Sequence, residues 1–301
     1  MKTLSIKLTK SEMQTLKQKY SHFPIRYDIQ YTEFQIKGTD VTITAYTSGK
    51  VVFQGEGAEF HAKPYLNDTA TVATHRDKPS TSKPQQVFPM AGSDEVGTGD
   101  YFGPVVVCAT IVSEEDLKNI PVERIVDSKQ LQDDVVRELA PILRNTLKYS
   151  LLILDNPKYN RVHRQKNMNE IKAMLHNQAY VNLKKQGELP KTIIIDQFVS
   201  EKRYYQILKD EPQVIQNIHF ETKAENKFLA VACGAIIARD AFLDYFDKLS
   251  AKYEMVFPKG AGTHVDIFGA EFVQRFGEEE LYKVAKVHFA NTTKITGREL
   301  E

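Results

Sequence analysis

Four carboxylates and a glycine-rich turn are the residues whose types and setting can do chemistry. The stretch MAGSDEVGTGDYFGPVVV, residues 90–107, sets Asp94 and Glu95 side by side, after one expected strand and against an apolar run. Asp196 closes the β-branched run of KTIIIDQF at 191–198, and Glu225 follows Thr222 by three where a long helical pattern begins. In an α/β sheet, strand ends and helix starts gather at one crevice, so these four acids can meet although 101 residues separate Glu95 from Asp196. Like charges that close raise one another's pKa. A divalent cation relieves them, and an oxygen-only ligand set suits Mg²⁺ or Mn²⁺ better than zinc. Two such ions about 3.5–4 Å apart are the usual device for in-line attack on a phosphodiester. Each acid also has a plainer reading. Thr222 and Glu225 have capping-box spacing, Asp196 fits a turn after a strand, and adjacent Asp-Glu pairs are common on surfaces. The neighbouring VVVCATIV run sets this pair apart.

Gly97-Thr98-Gly99 is not a dinucleotide fingerprint, because Gly103 comes one residue late and a strand follows where a helix should. Two readings stand. It is a plain hairpin, or glycine lets the backbone approach a ligand closely. A ribose 2′-hydroxyl, donor and acceptor at once, suits such a backbone.

These residues need a scaffold, and 301 residues at 42% hydrophobic content suffice for one large domain or two smaller ones. Residues 1–90 carry 12 Lys and Arg against 8 Asp and Glu, whereas 91–301 carry 28 against 31. A basic front and a slightly acidic back suit a nucleic-acid grip joined to a carboxylate centre. Cys108 and Cys233 lie in apolar runs without CxxC spacing and are expected as buried small hydrophobes. No apolar signal core opens the chain and no run nears ~18 apolar residues, so a cytoplasmic protein without membrane insertion is expected.

KTLSIKL at 2–8 alternates as a strand, and a short amphipathic helix with Thr9 as cap follows. Three strand-like pieces, punctuated at Lys37-Gly38 and Ser48-Gly49, then suggest hairpins. From Pro64 the composition turns to Thr, Ser, Pro and charge, as in a linker. Beyond it, strands alternate with helices at 168–186 and 222–253, the pattern of an α/β domain. Histidines 163, 176, 219, 264 and 288 lack metal-site spacing and are expected mostly on the surface or in loops; no GxSxG elbow occurs. PKGAGTHVDIF and KVHFANTTK near the C-terminus are polar and basic enough for substrate contacts.

Taken in order, GSDEVGTGDYFGPVVV, DSKQL at 127–131, IIIDQF and TKAENKFLAVACGAIIARD resemble the type 2 ribonucleases H, most closely the ribonuclease HIII group. Type HII enzymes carry an arginine between the loop glycines and Asp where Glu225 stands; Thr98 and Glu225 follow the HIII pattern. The front of the chain is similar to half of the TATA-box-binding protein fold. The resemblance implies a ribonuclease H-like mixed sheet flanked by helices, preceded by a small α+β antiparallel-sheet domain. The implied boundaries are a substrate-binding domain at 1–63, a linker at 64–88 and the catalytic domain at 89–301. Asp94, Glu95, Asp196 and Glu225 would hold two Mg²⁺, or Mn²⁺, with substrate bound. The RNA of an RNA/DNA hybrid would be cut to leave 5′-phosphate and 3′-hydroxyl ends. Gly97, Thr98 and Gly99 would read 2′-hydroxyls, and Lys129 either approaches the scissile phosphate or is a solvated turn lysine. A monomer without an obligate protein partner is expected. Because type HII enzymes use the loop arginine to find a lone ribonucleotide, Thr98 implies poor cutting there. The alternatives are HII-like cutting at single embedded ribonucleotides, a non-catalytic nucleic-acid-binding protein, and a proofreading-type nuclease, which typically separates its first two acids by one residue.

Overall fold

The alternation of TLSIK buries Leu4 and Ile6 and leaves Thr3 and Lys7 exposed, which makes β1 (Thr3–Lys7) half-buried. The computed structural model describes residues 3–27, 32–65, 73–74, 86–126, 131–298 and 300. The chain divides into two compact units, Met1–Lys83 and Pro84–Glu301.

In the first unit, α1 (Lys10–Lys19) starts at Thr9, whose side chain accepts from the Glu12 amide while Glu12 accepts from the Thr9 amide at 2.7 Å. This reciprocal box satisfies two orphan donors and fixes the helix start. Next come β2 (Ile25–Arg26), β3 (Thr32–Lys37), β4 (Thr42–Tyr46), β5 (Lys50–Gln54), α2 (Ala58–Ala62) and β6 (Ala73–Thr74). The turn at Gly38 closes with its amide on Val41 O at 2.8 Å, and Gly49 takes the positive φ, +83°, that its hairpin needs. The antiparallel order is β2-β3-β4-β5-β1-β6. Ala73 and Thr74, within the stretch read as linker, pair with Ser5 and Leu4.

The second unit runs β7 (Met90–Val96), β8 (Val105–Val112), α3 (Val122–Val126), α4 (Asp133–Thr146), β9 (Lys148–Leu154), α5 (Asn156–His163), α6 (Met168–Gln186), β10 (Thr192–Asp196), α7 (Glu201–Ile207), β11 (Ile218–Glu221), α8 (Leu229–Tyr253), α9 (Thr263–Phe276), α10 (Glu278–Val284) and α11 (Ala290–Thr296). Its sheet order is β11-β10-β7-β8-β9; β10 is parallel to β11 and β7, while β8 is antiparallel to β7 and β9. Met90, Val106 and Cys108 face a core with α8 and α4, whereas Ala91, Val107 and Ala109 face α6. The result is the expected mixed sheet with helices on both faces. Cys108 and Cys233 are buried and free. Among the described residues no helix is long and apolar enough to cross a membrane.

Two expectations need correction. Asp94 and Glu95 lie inside β7 rather than after it, because β8 continues the ladder to Asp94–Cys108, Glu95–Val107 and Val96–Val106. The long helix starts at Leu229, not 222, so Glu225 is outside it and Thr222 caps nothing there. Lys223 adopts left-handed φ of 54°, which breaks the helical path and leaves Ala224–Asn226 as a single 3₁₀ turn.

Helix α8 rests on the sheet backbone to backbone. A Cβ on Gly92 would lie 2.4 Å from Val231 N, and one on Gly234 2.8 Å from Cys108 O. Thermal unfolding of Gly92→Ala is expected to show a loss of about 1–3 kcal/mol, the usual range for overpacking. An unchanged Tm would contradict this close approach.

Candidate active site

Successive side chains of a strand point to opposite faces, so β7 sends its two adjacent acids apart. Asp94 shares the α8 face with Gly92. Ser93 and Glu95 share the α6 face and both bond to His176 there. Parallel pairing aligns Ile195 with Ser93, and one residue further on Asp196 comes beside Asp94. Asp196 accepts the Ala224 amide at 2.8 Å, and this bond holds the 3₁₀ turn that carries Glu225. The sheet register and one loop contact thus bring Asp94, Asp196 and Glu225 into one electrostatic neighbourhood.

Burial, then the negative charges of Glu95, Asp196 and Glu225, push the Asp94 carboxyl well above the ordinary aspartate range. The Glu95 amide, which donates to it at 2.8 Å, works the other way. Glu225 accepts from Asn226 Nδ2 at 2.5 Å.

Glu95 has the opposite environment. Burial would raise its carboxyl, but His176 and Lys172 outweigh that and hold it below the usual glutamate range. Lys172 forms an ion pair with Oε1, and His176 Nε2 lies 2.9 Å from Oε2. The far nitrogen of His176 lies 2.7 Å from Ser93 Oγ, and Lys172 stands 4.1 Å over the Phe198 ring. The sequence reading missed both residues and expected histidines mainly at the surface, yet His176 is fully buried. A signal existed. Lys172 and His176 are four apart on one helical face, and Lys172 sits between Ile171 and Ala173 in a buried stretch.

The glycine loop joins β7 to β8 as a hairpin, and glycine is needed at its base. Gly97 has φ of +89°, and its Cβ would lie 2.1 Å from Pro104 O. Gly99 has open space around it and Thr98 is half-buried. The two C-terminal segments read as candidate substrate contacts brace this loop. Gly260 N donates to Asp100 Oδ1 at 2.6 Å, and Tyr101 N to Gly260 O at 2.9 Å. From the other segment, the buried Lys286 donates to Asp100 O at 2.8 Å and Gly103 O at 2.6 Å. Lys129 lies outside the described residues.

Among the described residues, no three His, Cys, Asp or Glu side chains form a group that could hold a metal ion by themselves. The donor set fits a different kind of centre. Mg²⁺ uses one or two carboxylates and keeps open positions for water and substrate oxygens. Asp94, with Asp196 and Glu225 near it, offers hard oxygen donors of that kind.

Residues 91–292 match the family model for ribonuclease HII, and residues 3–78 match that of a domain of unknown function. The ribonuclease HIII of Bacillus cereus is 40% identical over 97% of each chain, and that of Listeria monocytogenes 42% identical over 87% of each. The solved structure of Bst-RNase HIII in complex with Mn²⁺ aligns with a TM-score of 0.69 at 36% identity, covering 98% of this chain and 100% of that one. Likeness of this extent, spanning both units, is family membership: the chain belongs to the ribonuclease HIII family of ribonuclease H enzymes.

Proposed function

We propose that this endonuclease hydrolyses the RNA strand of RNA/DNA hybrids with two divalent ions, Mg²⁺ or Mn²⁺, leaving 5′-phosphate and 3′-hydroxyl ends. The observation that carries this reading is the half-buried Asp94 of β7, with Glu95, Asp196 and Glu225 close enough for their charges to act on its carboxyl. Such a site is poised to take up cations. Asp94, Asp196 and Glu225 would hold the ions from the α8 side and Glu95 from the α6 side. The chemistry bound ions supply is acidification of water and neutralisation of charge on the departing oxygen. Lys172 and His176 keep Glu95 ionised and fix its rotamer, so one ligand is pre-oriented. The loop at Gly97, Thr98 and Gly99 would meet 2′-hydroxyls in the minor groove, where A-form duplexes display them. The Mn²⁺ complex of Bst-RNase HIII supports a divalent cofactor.

The first test is cleavage of an end-labelled RNA/DNA hybrid beside RNA/RNA, DNA/DNA and a duplex with one embedded ribonucleotide. Internal cuts confined to the hybrid RNA are expected, with the single ribonucleotide cut poorly because Thr98 stands between the loop glycines. Asp94→Asn should lower kcat at least about a thousandfold. Hybrid bound but left whole with either ion would overturn the reading.

The first unit, antiparallel and basic, is proposed as a duplex grip that works through phosphate contacts with little sequence preference. Deleting residues 1–83 should raise KM for the hybrid by about tenfold or more and flatten its salt dependence. Unchanged kinetics would remove that role.

A further inference from the structure

Lys286 is fully buried, an unusual place for an ammonium group. Burial pulls it down to about 7 against the opposing influence of Asp100, a penalty that an apolar residue of similar volume would avoid. The ammonium makes two hydrogen bonds and stands near an aromatic ring. The bonds reach Asp100 O at 2.8 Å and Gly103 O at 2.6 Å, and the group stands 5.9 Å from the Tyr159 ring centroid. The Lys286 backbone amide also donates to Tyr101 O at 2.8 Å. Neighbours complete the fastening. Asn156 Nδ2 donates to Gly103 O at 2.9 Å, and Gly103 N to Val284 O at 2.9 Å.

One side chain from the far end of the chain therefore ties together both ends of the 100–103 segment. The carbonyls of Asp100 and Gly103 are consumed inside the protein. By contrast, the amides of Thr98 and Gly99 meet no backbone acceptor among the described residues, so the crest of the loop keeps its donors for something else.

We propose that Lys286 is a positioning residue for substrate recognition, fixing the 97–103 loop so that its crest presents backbone donors to ribose hydroxyls. The proposal rests on the reading of that loop given under Proposed function. Lys286 touches no substrate. Its effect is preorganisation, which removes the ordering cost of the loop on binding, and the discrimination it supports is hybrid over DNA duplex.

Kinetics and binding of the full chain test this. Lys286→Met keeps the unbranched stem of the side chain and removes its ammonium donors. It should raise KM for the hybrid about tenfold, leave kcat within about threefold, and lower the preference for hybrid over an all-DNA duplex, read as the ratio of the two Kd values, by about tenfold. Asn156→Ala, which removes the second donor on the Gly103 carbonyl, should show the same pattern more weakly, and the double variant should fall short of additivity. If Lys286→Met does not fold, Asn156→Ala is read alone for the same KM increase and drop in Kd ratio. A wild-type KM and Kd ratio, or a fall in kcat at constant KM, would overturn the proposal. Wild-type protein that leaves the hybrid whole would instead overturn the proposed function.

Discussion

The backbone of helix α8 lies directly on β7 and β8, and Gly92 and Gly234 are the two places where a side chain would forbid it. That contact covers part of the α8 face of the central strand, where Asp94 stands half-buried. The parallel neighbour β10 then delivers Asp196 beside it, and the Asp196–Ala224 bond brings in Glu225. Like charges gathered in a poorly hydrated place are an energetic burden on the fold. Much of the site's behaviour follows from how that burden is shared.

The strand shares it by face. Glu95 turns toward α6, where Lys172 and His176 neutralise it and Phe198 covers the lysine. Asp94 turns toward α8 and receives the Glu95 amide. One carboxylate of the strand is therefore held by basic neighbours, while the other stands in the field of further carboxylates. The loop beyond β7 is treated differently. It is fastened by hydrogen bonds from Gly260, Asn156 and Lys286.

Much of this was legible in the sequence. The β-branched run ending at Asp196, the helix at 168–186, the hairpin glycines and the four carboxylates are local patterns with a fixed period or a marked setting. What escaped depends on contacts between distant residues. The division of Asp94 from Glu95 follows from β8 extending the ladder past both, which no single-strand pattern reveals. The late start of α8 follows from the left-handed Lys223 and from Asp196 capturing the Ala224 amide, 28 residues away. His176 reads from the sequence as one of the surface or loop histidines because its partners, Ser93 and Glu95, lie on another element. Lys286 looked like part of a basic surface segment, and only the packing of the last helices on the loop shows it buried.

The most direct measurement is thermal unfolding of the wild type and Asp94→Asn at pH 7.5, in chelator and in Mg²⁺. The raised carboxyl of Asp94 favours folding only while it is protonated, a contribution full below the ordinary value of 3.8 and lost as pH rises through the folded value. Near neutrality its charge therefore opposes the metal-free fold. Removing that charge should raise Tm in chelator by about 2–4 °C, as for roughly 1 kcal/mol in a domain of this size, and Mg²⁺ should stabilise the wild type but not the variant. An Asp94→Asn protein less stable than wild type in chelator, or equally stabilised by Mg²⁺, would contradict the account.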